Sequence, residues 1–121
     1  MDCEAQRIAI VGSRRRTDQH NVVAFVASLP AGVVVVSGGC RGVDTWAAEA
    51  ARARGLAVVE HRPDGTGVRT RAEAVRRHHE RNARVVADAD MVVAFVAEDR
   101  KGGTENTIRH ARRAGKPVEI R

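Results

Sequence analysis

Aromatic side chains are nearly absent from this sequence of 121 residues. The aromatic residues are Phe25, Trp46 and Phe95, and there is no tyrosine. Proteins that bind single-stranded nucleic acids in open grooves use aromatic side chains as platforms on which successive bases stack. The scarcity of aromatic residues therefore argues against an extended single-strand groove.

Cysteine and long apolar runs are also scarce. Cys3 and Cys40 are too few for a disulfide scaffold or for a zinc site made of cysteines alone. No cluster of His, Cys, Asp and Glu has the spacing of metal ligands. No apolar run approaches the roughly 20 residues of a membrane helix, and the acidic start Met1–Glu4 is unlike a signal peptide. We therefore expect a cytoplasmic, bacterial-type protein without metal, cofactor or membrane partner.

Positive charge exceeds negative charge, because 21 Lys and Arg residues against 15 Asp and Glu residues give a formal net charge of +6. Apart from Lys101 and Lys116 these cations are arginines, whose guanidinium groups match phosphate oxygens bidentately. A GC-rich genome also produces an excess of Arg, Ala and Val, so composition alone leaves both explanations open. The charge favours a phosphate-bearing partner without choosing between a nucleotide and a nucleic acid.

Short apolar runs rich in β-branched residues predict strands that are covered on both faces, as in a parallel sheet. The runs are Arg7–Val11, Val33–Val36, Leu56–Val59, Met91–Val96 and Pro117–Ile120. Stripes with helical spacing lie between them, namely Val22, Val23, Val26 and Leu29; Val43, Ala47, Ala50 and Ala51; Ala72, Val75, His79, Ala83 and Val86; and Ile108, Ala111 and Ala114. This alternation predicts one α/β domain over residues 1–121, a Rossmann-like three-layer sandwich of five mostly parallel strands in the order 3-2-1-4-5 with helices on both faces.

Glycine and small polar residues follow the first, second and fourth predicted strands. Ligands of such sheets bind beyond the carboxyl ends of the strands, at the point where the strand order reverses. Glycine lets the backbone approach a phosphate closely, and the helices that follow begin with free N–H groups. The predicted phosphate-binding residues are Gly12, Ser13, Arg14, Ser37, Gly38, Gly39, Arg41, Gly42, Asp44, Gly102, Gly103 and Thr104.

The common nucleotide-binding fingerprints are missing. No Gly-x-Gly-x-x-Gly follows the first strand, and no Gly-x-x-x-x-Gly-Lys-Ser/Thr occurs in the sequence. The segment Gly38–Gly42 comes nearest to the second pattern but lacks its lysine. This argues against a simple NAD dehydrogenase and against a P-loop NTPase.

Four segments, Ile8–Arg14, Val36–Asp44, Arg81-Asn82 and Gly102–Thr104, together resemble the SLOG superfamily in order and spacing. This superfamily unites the bacterial DNA-processing protein A and the lonely-guy phosphoribohydrolases. The resemblance is strongest to its small stand-alone YspA-like branch and spans residues 7–120. It implies a Rossmann-like fold that binds nucleotides or nucleotide-derived ligands, and it adds Asn82 to the predicted binding residues.

The resemblance also implies catalytic candidates. The segment His79–Asn82 is similar to the His-Glu-Arg-Lys segment of the phosphoribohydrolases, whose arginine contributes to the active site, so Arg81 is one candidate. Their second signature, Pro-Gly-Gly-x-Gly-Thr-x-x-Glu, ends in a catalytic glutamate. Alignment of Gly103-Thr104 with its Gly-Thr pair places Thr107 at that glutamate. Glu105 lies on a different helix face, from which it would still reach a ribose, and is the second candidate.

Several residues have a structural reading as well as a functional one. Asp44 either caps the start of a helix or accepts a hydrogen bond from a ribose or from a neighbouring arginine. His79 lies on the apolar stripe of its helix and is interpreted as a core or interface residue, whereas His78 and Arg81 share another face. As an alternative, this helix breaks near Glu80 and presents the two following residues at a new helix start.

Together these observations predict a ligand-binding or sensor domain that holds a nucleotide or nucleotide-derived ligand in loops after strands 1, 2 and 4. Two alternatives stay open. One is hydrolysis of the N-glycosidic bond of a nucleoside 5′-monophosphate, and the other is binding of single-stranded DNA. An alanine-rich second helix that carries Trp46, together with relatives that pair through helices, predicts a homodimer.

Overall fold

A computed structural model describes residues 5–121, so Cys3 lies outside the described residues. Strands and helices alternate as β1 (Arg7–Gly12), α1 (Gln19–Ala27), β2 (Val34–Ser37), α2 (Val43–Ala53), β3 (Ala57–Glu60), α3 (Arg71–Asp88), β4 (Met91–Phe95), α4 (Gly103–Arg113) and β5 (Val118–Ile120). The strands form a parallel sheet in the order β3-β2-β1-β4-β5. The predicted Rossmann-like sandwich and its strand order are confirmed.

Both faces of the sheet are covered, which explains why its strands are continuous apolar runs. Successive side chains of β1 alternate between two core clusters, with Ile8 and Ile10 in one and Ala9 and Val11 in the other. The first cluster is completed by α1 and α2, and Trp46 packs against it. The second cluster is completed by α3 and α4. Among residues 5–121, no helix is long and apolar enough to cross a bilayer.

The stripe predicted for α3 is only partly correct. Val86 is buried as expected, but Ala72 is exposed and Val75 is 44% exposed. Arg81 and Asn82 are buried instead. The reason is that the first half of α3 borders a cavity at the carboxyl edge of the sheet, while its second half packs in the core. A helical segment that borders a cavity and one that packs in the core both have apolar residues at the same spacing, so the sequence pattern does not distinguish them.

The break considered near Glu80 does not occur, because α3 is continuous from Arg71 to Asp88. Its start is fixed by reciprocal hydrogen bonds. Thr70 Oγ1 accepts the N–H of Glu73 at 3.1 Å, and the Glu73 carboxylate accepts the N–H of Arg69 at 2.9 Å. The first contact satisfies a backbone donor of the first turn that has no helical partner, and the second ties the residue before the N-cap to the helix.

The amino edge of the sheet is held by ionic contacts. Arg7 donates to Asp88 Oδ1 at 2.5 Å, and Asp90 Oδ2 accepts the backbone N–H of Arg7 at 2.7 Å. Lys116 Nζ donates to three carbonyls at the end of α3 at 2.6–3.1 Å. A cation is favourable at a helix C-terminus because the free carbonyls carry partial negative charge. The two aspartates thus have structural partners at the edge opposite the cavity.

Gly12, at the end of β1, is predicted to be intolerant of a side chain. A Cβ at this position would lie 2.6 Å from Val43 Cβ, well inside van der Waals contact. We expect Gly12→Ala to lower the free energy of unfolding by about 1–3 kcal/mol, the usual cost of overpacking. Urea unfolding followed by the fluorescence of Trp46 measures the change.

Gly65→Ala is the matched control, because a Cβ at Gly65 meets nothing within 4 Å. It is expected to leave the free energy of unfolding within about 1 kcal/mol of the parent value. Equal unfolding midpoints for the two variants would contradict the proposed close approach of β1 to α2.

Candidate functional site

A cavity of about 590 Å³ lies at the carboxyl edge of the sheet, where the order of the strands reverses between β1 and β4. The loop after β1, the loop after β2, one side of α3 and the first turn of α4 form its walls. The lining residues are Val11, Gly12, Ser13, Arg14, Arg15, Gly38, Cys40, Asp44, Arg71, Val75, His78, His79, Arg81, Asn82, Val85, Lys101, Gly102, Gly103, Thr104 and Thr107.

Two helices begin at this edge after glycines with positive φ. Gly42 precedes α2 with φ of 85°, and Gly102 precedes α4 with φ of 113°. Neither helix start has a side-chain cap, so the N–H groups of the first turns are not satisfied by a capping side chain. Gly102 and Gly103 line the cavity directly. The positive end of the α4 dipole therefore faces it.

The cavity is strongly cationic. Its lining contains four arginines and one lysine, but Asp44 is the one acidic residue among them. Within residues 5–121 the side chains of Arg14, Arg71 and Lys101 form no ion pair and no hydrogen bond. Arg15 is different, because it pairs with Asp99 at 2.5 Å. Three positive charges thus face the cavity without a counter-charge from the described part of the chain.

Arg81 lies at the back of the cavity and is 5% exposed. Its guanidinium donates to the carbonyl of Gly38, to Cys40 Sγ at 3.2 Å and to Asn82 Oδ1 at 2.9 Å. Asn82 Nδ2 in turn donates to Asn106 Oδ1 at 3.1 Å. This chain of contacts joins the β2 loop, α3 and α4.

Asp44, in the first turn of α2, is also buried, with 4% exposure. Its Oδ2 accepts the N–H of Gly38 at 3.1 Å. Burial raises the pKa of Asp44 to about 6, and the nearby positive charge of Arg81 opposes that rise. Asp44 does not cap the helix as one of its two readings predicted, because α2 has no side-chain cap, and it accepts an N–H of the loop after β2 instead.

Protonation of His78, which lines the cavity, is disfavoured. Burial, followed by the charges of Arg81 and Arg14, lowers the pKa of His78. The neutral imidazole is therefore the favoured form at neutral pH.

Two largely buried threonines line the cavity. Thr104 is 8% exposed and Thr107 is 2% exposed, and both line the cavity. Within residues 5–121 every fully buried side-chain nitrogen and oxygen has a hydrogen-bond partner, and Ser13 Oγ accepts the N–H of Arg15 at 3.1 Å. The two threonines thus add hydroxyl groups to the polar lining of the cavity without leaving a buried polar atom unsatisfied.

Ten of the sequence-predicted binding and catalytic residues come together in the lining, namely Gly12, Ser13, Arg14, Gly38, Asp44, Arg81, Asn82, Gly102, Gly103 and Thr104. Five others do not line the cavity. Ser37 is fully buried and its Oγ accepts the N–H of Gly39 at 3.1 Å, behind the lining. Arg41 is exposed, and Gly42 serves as the helix start. The carboxylate of Glu105 pairs with Arg100 at 2.8 Å outside the cavity.

Several lining residues were not among the predicted site residues, above all Arg71, Lys101 and Cys40. Lys101 directly precedes a predicted glycine pair, so its position in the sequence carried a signal. Arg71 is the first residue of α3 and lies far along the chain from the glycine loops after β1, β2 and β4. Only the packing of α3 across the sheet edge brings it to the cavity.

Comparison with known proteins agrees with this architecture. The model of the family described as "YspA, cpYpsA-related SLOG family" matches residues 6–66. The chain belongs to this SLOG family. The matched segment contains the β1 and β2 loops of the cavity and ends before α3. No curated protein matches the chain in sequence.

Among solved structures, DNA processing protein A (DprA) from Streptococcus pneumoniae is similar to this chain, with a TM-score of 0.79 and 19% sequence identity. The match covers 96% of this chain and 50% of that one, so the SLOG domain described here corresponds to half of the DprA chain. At this level of identity the similarity concerns the fold.

The buried carboxyl group of Asp44 is predicted to make stability depend on pH. A raised pKa means that the folded protein binds the proton more tightly than the unfolded chain. Stability from this group therefore falls as the pH rises from the unfolded pKa towards about 6. A shift of about two units corresponds to about 3 kcal/mol.

We expect the stability of Asp44→Asn relative to the parent to rise by up to about 3 kcal/mol as the pH increases from about 4 to about 8, because only the parent must bury an ionised carboxylate. Urea unfolding at a series of pH values measures this gain. Asp64→Asn is the control, because Asp64 is exposed and the N–H of Thr66 lowers its pKa. A difference between Asp44→Asn and the parent that does not change with pH would contradict the burial argument.

Proposed function

We propose that this SLOG domain binds a phosphorylated nucleoside in the cationic cavity and acts as a ligand-binding domain without turnover. The observation that carries the proposal is the set of cations without counter-charge, Arg14, Arg71 and Lys101, in a cavity that two threonine side chains and a helix start also line. Phosphate oxygens accept hydrogen bonds from all three kinds of group.

The electrostatics of the cavity favour an anion. Concave sites lined by one sign of charge concentrate the potential and raise the local concentration of counter-ions. Here the charges of Arg81 and Asp44 offset one another, and the remaining free cations supply a net positive charge. The cavity volume of about 590 Å³ also lies within the range of about 300–1,000 Å³ found for small-molecule sites.

Binding of single-stranded DNA is supported less well by the same geometry. A groove for a single strand uses stacking platforms. No aromatic residue lines the described cavity, since Phe95 is buried in the core and Phe25 and Trp46 pack against that core. The printed name of DprA refers to DNA processing, and that activity is a property of DprA.

Hydrolysis of an N-glycosidic bond needs a carboxylate near the sugar to stabilise the positive charge that develops as the base leaves. Asp44, the carboxylate in the described lining, is held by a backbone N–H, and Glu105 is paired with Arg100 outside it. We therefore predict no release of free base during incubation with nucleoside monophosphates or ADP-ribose, followed by chromatography. Release that is abolished by Glu105→Gln would overturn this prediction.

The binding proposal is tested by calorimetric titration of the parent protein with nucleoside mono- and diphosphates and with ADP-ribose. Arg14→Gln removes one free cation from the cavity and is expected to weaken binding about tenfold or more, because charge-assisted hydrogen bonds contribute about 1.5–3 kcal/mol. Arg112→Gln is the matched control, since Arg112 is an exposed arginine in the last turn of α4. It removes the same charge from the protein and should leave the affinity nearly unchanged.

A labelled single-stranded oligonucleotide in the same buffer tests the alternative. Nucleic-acid binding falls steeply with salt concentration, because phosphate contacts release counter-ions. Oligonucleotide binding at physiological salt without any nucleotide binding would contradict the proposed function. Equal losses for Arg14→Gln and Arg112→Gln would show that net charge, not the cavity, determines binding.

A further inference from the structure

A second concavity lies on the outer side of α3 and α4, which we call the α3–α4 groove. Its volume is about 400 Å³. Its apolar lining comes from Ala72, Val75 and Ala83, its ring side chains are His79 and His110, and Arg76 and Glu80 complete the lining. Val75 is one of the few large hydrophobic side chains that are exposed among residues 5–121. The groove is thus an accessible, largely apolar surface.

The groove adjoins the cationic cavity along α3. Val75 and His79 line both, because they lie on successive turns of α3 where that helix separates the two spaces. A ligand anchored by its phosphate in the cavity therefore has this apolar surface as its neighbour. The two spaces differ in chemistry, since the cavity provides cations and hydroxyl groups whereas the groove provides methyl groups and imidazole rings.

The ring of His110 supports an uncharged, planar occupant. Burial, followed by the charges of Arg113 and His79, lowers the pKa of His110. The neutral ring is the favoured form at neutral pH, and a flat neutral ring beside aliphatic side chains offers stacking and apolar contact. A nucleobase presents a planar face of this kind, and its ribose connects it to the phosphate.

We propose that the α3–α4 groove is the base subsite of the nucleotide whose phosphate binds in the cationic cavity. This inference rests on the proposed function and adds to it a division of the ligand between two surfaces. Val75 and His79 contact the ligand where it passes from one surface to the other. Ala83 and His110, which line the groove but not the cavity, contact the base.

The test combines truncation of the ligand with obstruction of the groove. Ribose 5-phosphate keeps the sugar and phosphate of adenosine 5′-monophosphate but lacks the base. We expect it to bind the parent protein at least about tenfold more weakly, because burial of a ring contributes more than about 1.4 kcal/mol. Ala83→Gln fills the groove without a change of charge and without reaching the cavity lining. It should weaken adenosine 5′-monophosphate about tenfold and leave ribose 5-phosphate unchanged.

Matched variants control for effects on the helix. Ala87→Gln makes the same change at an exposed position of α3 and is expected to leave both affinities unchanged. Val75→Ser removes apolar surface from the groove, and its control is Val23→Ser on α1. These valines are exposed to nearly the same extent, 44% and 41%. Val75→Ser should weaken the monophosphate more than ribose 5-phosphate, because Val75 also lines the cavity.

The outcomes separate this inference from the proposed function. If neither ligand binds the parent protein, both fail. If both ligands bind with equal affinity and Ala83→Gln weakens neither, the phosphate site stands and the base subsite is wrong. If Ala83→Gln leaves both affinities unchanged but alters the sedimentation coefficient, the groove is an interface between copies of the chain, which also overturns the inference.

Discussion

The buried guanidinium of Arg81 is the contact on which the cavity depends. A charge with 5% exposure must recover the hydration it has lost through hydrogen bonds. Arg81 does so through the loop after β2 and its own helix α3, because its partners are the backbone of Gly38, the thiol of Cys40 and the amide of Asn82. A Cβ on Gly38 would lie 3.1 Å from the guanidinium carbon and 2.8 Å from Asp44 Oδ2. The absence of a side chain there lets both charged groups approach the end of β2.

This arrangement also determines which charges remain available to a ligand. Asp44 lies close enough to Arg81 for the arginine to lower its pKa, while burial raises it. The charges of these two buried groups largely balance each other, and their side chains form part of the cavity wall. The charges that are not balanced, on Arg14, Arg71 and Lys101, come from three different segments at the mouth of the cavity. Affinity for an anion therefore depends on side chains that the core packing does not require.

The sequence was sufficient for the fold because every strand is a short β-branched run and the core covers both faces of the sheet. The glycine loops could be assigned to one edge because parallel strands end on the same side. The motif alone did not show which face of α4 meets the cavity. Thr104 and Thr107 face the cavity, whereas Glu105, about 100° from Thr104, faces Arg100. Arg71 was missed because only tertiary packing brings the start of α3 to the site.

The same positive potential that would strengthen binding of a phosphate makes hydrolysis harder in this cavity. Cleavage of an N-glycosidic bond develops positive charge on the ribose, and cations nearby raise the energy of that transition state unless a carboxylate offsets them. The resemblance to the phosphoribohydrolases places a catalytic glutamate where this chain has Thr107, and that threonine does line the cavity. A hydroxyl at this point would hydrogen-bond a sugar or a phosphate equally before and during bond cleavage. Such contacts lower the dissociation constant without accelerating the reaction.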